Sequence, residues 1–89
     1  MFAELAPTIG ELTDWVKALE LRGGIETSLV AKLDGAQKNL DRGDTDGACD
    51  KLASFINQVA ALGGKKIPAV DADALIVDAG AVGASLGCA

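Results

Sequence analysis

Few residues in this 89-residue chain are equipped for chemistry. They are two cysteines, Cys49 and Cys88, an acidic cluster of Asp41, Asp44, Asp46 and Asp50, a second carboxylate pair, Asp71 and Asp73, and a lone tryptophan, Trp15. The chain contains no histidine, so the commonest general base is missing. A Gly-x-Ser-x-Gly elbow and a phosphate-binding glycine loop are missing too. Asp71 and Asp73 project from different sides of a helix start, which suits first-turn acids better than a catalytic carboxylate pair. No residue stands out as catalytic, and the expectation is a protein that is not an enzyme.

The acidic cluster invites a calcium reading, which the register opposes. Placing Asp46-Gly47 at the fifth and sixth positions of an EF-hand loop puts Arg42 where the first oxygen ligand belongs and Ala53 where the bidentate glutamate belongs. Capping and helix-dipole roles account for these aspartates without a metal, and neither a metal nor a cofactor is expected. Two cysteines without histidine do not form a conventional closed zinc site, and there is no Cys-x-x-Cys redox pair. A disulfide or two reduced thiols remain. Trp15 is a weak candidate for a binding platform, and a tryptophan at the edge of a helix seam also serves as a large core residue.

The elements that position these residues read as helices. Thr8-x-x-Glu11 is a capping box, followed by Ile9, Leu12, Val16 and Leu19 at helical spacing, with Gly23-Gly24 ending the segment. Residues 1–7 form an irregular N-terminal segment in which Phe2 and Leu5 could pack ahead of Pro7. The clearest pattern is the hairpin from Ser28 to Val59. A second helix beginning near Ile25 to Ser28 carries Ile25, Leu29, Leu33, Ala36 and Leu40 on one face, with Lys32, Asp34, Lys38 and Asn39 on the other.

Arg42-Gly43-Asp44 breaks the hairpin, Gly43 suiting the left-handed position after a helix. Asp44 or Thr45 then caps a third helix whose stripe is Ala48, Leu52, Phe55, Ile56, Val59 and Leu62. So short a connection makes the two helices antiparallel. After Gly63-Gly64 and the lead-out Lys66-Ile67, a fourth helix starts at Pro68 or Asp71. It carries Leu75, Ala79, Val82 and Leu86, broadened by Ile76 and Val77, with Gly80 and Gly83 spaced for close approach by another helix.

This arrangement gives the cysteines a geometry. If the third and fourth helices are antiparallel and about 18 residues, or ~27 Å, long, the end of the fourth returns to the start of the third. Cys88 then meets Cys49. A bridge closing a loop of about 40 residues contributes ~4 kcal/mol through chain entropy, and its presence implies an oxidising compartment.

The totals set further bounds. At this size about 60–65% of the unfolded chain's surface is buried, enough for one modest core. With Phe2, Trp15 and Phe55 the only aromatics, aliphatic side chains supply most of it. Eight basic and thirteen acidic residues give a net charge of −5, which repels a phosphate backbone, and the cations are scattered rather than gathered on one face. Nucleic-acid partners are not expected. No apolar run approaches the ~20 residues of a membrane span, and no export signal opens the sequence.

The hairpin segments Ser28-Leu29-Val30-Ala31-Lys32-Leu33, Ala36-Gln37, Gly43-Asp44-Thr45, Ala48-Cys49 and Phe55-Ile56-Asn57-Gln58-Val59 resemble FIMAH-type helical modules. Gly24-Ile25-Glu26, Gly64-Lys65-Lys66-Ile67, Ala72-Asp73-Ala74-Leu75-Ile76 and Leu86-Gly87-Cys88 extend the resemblance over roughly Leu12 to Cys88. The resemblance implies an extracellular accessory module at the C-terminal end of a large secreted or surface-attached bacterial protein, without catalytic residues.

The expected fold is therefore an all-α antiparallel bundle of four helices, one domain over residues 1–89, stapled between Cys49 and Cys88. The expected function is a non-catalytic interaction module outside the cell. Its partners would be flanking domains of the parent protein, a surface protein or a glycan. Homo-oligomerisation through the Gly/Ala-rich last helix is the alternative, and acidic calcium binding a further one.

Overall fold

A computed structural model describes residues 8–88. The expectations for residues 1–7, including the packing of Phe2 and Leu5, lie outside the described residues. Within them the chain forms four α-helices, α1 (Ile9–Ala18), α2 (Ile25–Asp41), α3 (Thr45–Leu62) and α4 (Ala69–Leu86). Consecutive helices pack side by side and α4 returns to α1, which closes the bundle.

Each start has an identifiable local cause. Thr8 Oγ1 accepts from the Glu11 N–H at 3.1 Å while the Thr8 N–H donates to Glu11 Oε1 at 2.8 Å, completing the capping box. Asp44 caps α3 by accepting from the Gly47 N–H at 2.9 Å. Pro68 is the N-cap of α4, its carbonyl accepting from the Ala72 N–H at 2.9 Å, so the helix begins between the two starts that the sequence allows and Asp71 falls in its first turn.

The apolar stripes meet in one core. Ile9, Leu12 and Val16 of α1 join Leu29, Leu33 and Ala36 of α2, Leu52, Phe55 and Val59 of α3, and Leu75, Ala79 and Val82 of α4. Removing these side chains from water is the main stabilising term, about 1.5–3 kcal/mol for each large one. Pairings across the helices fix their directions. Ser28, early in α2, donates its hydroxyl to Gln58 Oε1 late in α3 at 3.1 Å, and the Cys49–Cys88 disulfide joins the start of α3 to the end of α4. Both neighbouring pairs are therefore antiparallel.

Several positions depart from the sequence reading. α1 stops at Ala18 instead of running to Gly23-Gly24; Leu19 is its cap and Glu20 takes a left-handed φ of 53°. The physical reason is that Leu19 and Leu21 both turn partly inward against the core, which a continued helix would not allow. Ile67 is no lead-out residue but fully buried. Its N–H donates to Leu62 O at 3.2 Å and its carbonyl accepts from the Gly64 N–H at 2.8 Å, folding the α3–α4 loop inward as a plug. Val77 does not broaden the α4 stripe, since it is 69% exposed.

Asn39 is buried as well, not on the solvent face. Its carbonyl accepts from the Asp44 N–H at 2.7 Å, and its Oδ1 accepts from Arg42 Nη2 at 2.7 Å. A buried amide at that position is stabilised by the turn it ties down.

Candidate functional site

Cys49 sits in the first part of α3, half-buried, and its partner approaches from the end of α4. Gly87 adopts a left-handed φ of 86°, a conformation open to glycine at little cost. The Cys88 N–H then donates to Gly83 O at 2.9 Å and the Gly87 N–H to Ala84 O at 3.1 Å. This pair of bonds is the Schellman motif, which folds Cys88 back over the last turn toward Cys49. The Cα atoms lie 5.7 Å apart, within the normal range for a bridge. Gly83 thus faces the disulfide, its added Cβ coming to 3.6 Å from Cys88 Sγ, whereas Gly80 faces open space. A side chain added at either glycine of α4 would meet no other helix of the bundle.

The acidic residues are gathered near this end by the α2–α3 turn, where they have structural tasks. Asp44 caps α3, and Asp41 accepts from Gln37 Nε2 at 3.0 Å. Asp46 and Asp50 are exposed, and Asp46 lies in the first turn of α3, where its charge interacts favourably with the helix dipole. Among the described residues no three His, Cys, Asp or Glu side chains are grouped to hold a metal ion. Asp71 and Asp73 lie in the opening of α4, the first half-buried and the second exposed.

Beside the disulfide a groove of about 680 Å³ runs between α3 and α4, floored by Leu52, Ile56 and Ala79 and edged by Asp46 and Asp50. Trp15 does not reach it. The indole is half-buried on α1 and packs against the core cluster, so much of its surface is committed to the fold.

A second recess, of about 580 Å³, opens between the α1–α2 and α3–α4 loops. Glu20, Arg22, Lys65 and Lys66 rim it, and Leu21 and Ile25 contribute apolar wall. Sequence reasoning saw scattered cations here, because Arg22 and the Lys65-Lys66 pair are far apart in the chain and only the bundle topology brings their loops together. The two recesses thus differ in charge, carboxylates at one and mainly cations at the other.

No helix among the described residues is long and apolar enough to cross a membrane. No curated protein and no solved structure matches the chain significantly. The FIMAH domain family model matches residues 6–84, which takes in all of α1 through α3 and most of α4. Four helices with the expected caps, covered by that match over most of their length, place this chain in the FIMAH family of accessory domains found in larger proteins.

Proposed function

We propose that the domain is a non-catalytic extracellular interaction module of a secreted or surface-attached bacterial protein, holding that protein to a neighbouring domain or surface partner. The observation that carries this reading is the Cys49–Cys88 bridge. A disulfide persists in oxidising compartments and is rare where thiol buffers keep cysteines reduced. Family membership supports the accessory role. Of the acid groups near the disulfide, Asp44 caps α3 and Asp41 accepts from Gln37.

The test is removal of the module from its parent protein. The expected result is an unchanged turnover or binding activity of the remaining domains on soluble ligands, with a loss of retention at the cell exterior. Full retention without the module, or loss of a chemical activity that the isolated 89-residue chain restores, overturns the reading.

A second reading has its own observation. Val70 and Val77 are 80% and 69% exposed and stand seven residues apart on α4, hence on one face of it. Homo-oligomerisation through α4 would cover them. Sedimentation separates the two readings: a monomer at high micromolar concentration excludes the oligomer, and a stable dimer lost in Val77→Glu supports it.

A further inference from the structure

We infer that the loop-end recess is a docking site for a short acidic peptide segment of a partner protein, one bearing an aliphatic side chain between carboxylates. The inference deepens the interaction-module reading and rests on it. Three cations, Arg22, Lys65 and Lys66, rim a recess of about 580 Å³, all three exposed, with Glu20 the carboxylate among its lining residues. Leu21, Ile25 and Pro68 supply apolar surface between them.

Against a chain of net charge −5, this local excess of positive charge is a departure, and its counterpart lies at the other end of the bundle around Asp44, Asp46 and Asp50. An acidic partner is attracted to the three rim cations, although Asp71 and Asp73 stand in the opening of α4 at the same end of the bundle, and is repelled from Asp46 and Asp50 at the disulfide end.

The shape and lining select among anions. The recess is roomy for a single inorganic anion, and its floor is apolar, so a buried aliphatic group adds affinity that a bare anion lacks. Among the described residues no aromatic side chain lines it, so these residues offer neither a nucleobase nor a sugar ring a face to stack on. A peptide carrying leucine flanked by aspartate or glutamate satisfies both requirements, the leucine entering between Leu21 and Ile25 and the carboxylates meeting Arg22, Lys65 and Lys66.

The frame is built to hold this surface. Ile67, fully buried beside Lys66, anchors the α3–α4 loop, and the bond from the Gly64 N–H to Ile67 O closes it at 2.8 Å. The lysines therefore stand on a loop fixed at its base, which lowers the ordering cost on binding.

The experiment is a titration of the isotope-labelled 89-residue chain, followed by amide chemical shifts. The probes are an N-acetylated, C-amidated peptide Asp-Glu-Leu-Glu-Asp, its Asp-Glu-Gly-Glu-Asp analogue, and polygalacturonate. The expected result is shifts confined to residues 19–25 and 64–68, diminished by raised salt. Lys65→Glu with Lys66→Glu should weaken the leucine peptide about tenfold without changing the melting transition, since both side chains are exposed. The glycine analogue should bind several-fold more weakly than the leucine peptide.

The inference is overturned by an absence of shifts, by shifts centred on the α3–α4 groove, or by equal binding of the two peptides. Tighter binding of polygalacturonate assigns the recess to a glycan instead. Self-association of the free chain that the double lysine variant abolishes assigns it to a second copy. Each of these failures leaves the interaction-module reading intact, because that reading is decided by retention of the parent protein.

Discussion

The two ends of the bundle are secured in different ways. At the end where α2 meets α3 and α4 terminates, the chain is held by a covalent bridge, the Asp44 cap, the Asn39 carbonyl and the left-handed Gly87. At the opposite end, packing takes over: the α3–α4 loop tucks Ile67 fully into the core, and the α1–α2 loop turns Leu19 and Leu21 partly inward. At the first end Asp44 and the Asn39 carbonyl hold the chain, whereas Arg22, Lys65 and Lys66 at the second stay exposed on loops that apolar anchors already hold. A small domain with a modest core thus separates a covalently tied end from an end whose cations stay exposed.

The largest effect that breaks this contrast should come from the bridge. Reduction, or Cys49→Ser with Cys88→Ser, releases a link between residues 39 apart and should lower stability by about 4 kcal/mol in urea unfolding. A loss under about 1 kcal/mol would show that the disulfide end is held by its hydrogen bonds alone. Next is the plug: Ile67→Ala should cost about 2–4 kcal/mol, and a near-neutral result would mean that the loop end has other support.

Smaller effects come from glycines, and they differ in sign. Gly47→Ala would drive its Cβ against the Asp44 carboxylate and to 2.8 Å from Asn39 Nδ2, displacing the cap at a cost of about 1–2 kcal/mol. Gly80→Ala, with nothing within 4 Å of the new methyl group, should raise stability by about 0.5–1 kcal/mol because alanine is the better helix former. The same substitution in two helices therefore reports whether the α3 cap is as tight as its geometry implies. Equal, stabilising shifts would contradict it.

Much of this fold was legible in sequence because its signals are local or periodic. Thr8 and Glu11 stand at capping-box spacing, Asp44 follows a glycine suited to the left-handed position, and the stripes of α2 and α3 match in length across a short turn. The meeting of Cys49 with Cys88 followed from helix length together with an antiparallel direction for the last two helices. The hidden features depend on tertiary context. Asn39 looks solvent-facing until the Arg42 and Asp44 partners close around it. Ile67 sits among Gly, Lys and Pro, a composition that reads as connector, yet its loop folds inward.

The candidate binding surface was hidden for the same reason. Arg22 and the Lys65-Lys66 pair belong to separate loops, so no window of sequence shows them as one cationic rim. On α4 the difficulty is different, since Val70 and Val77 extend an apolar pattern beyond the face that the bundle covers.

A FIMAH domain that works outside the cell, as proposed, carries its two cysteines joined. The most direct measurement is peptide mass spectrometry of the parent protein recovered from the cell exterior, alkylated before digestion and compared with a reduced sample. The expected result is one pair of peptides linked through Cys49 and Cys88 that separates only on reduction. Two alkylated thiols in the unreduced protein would contradict it.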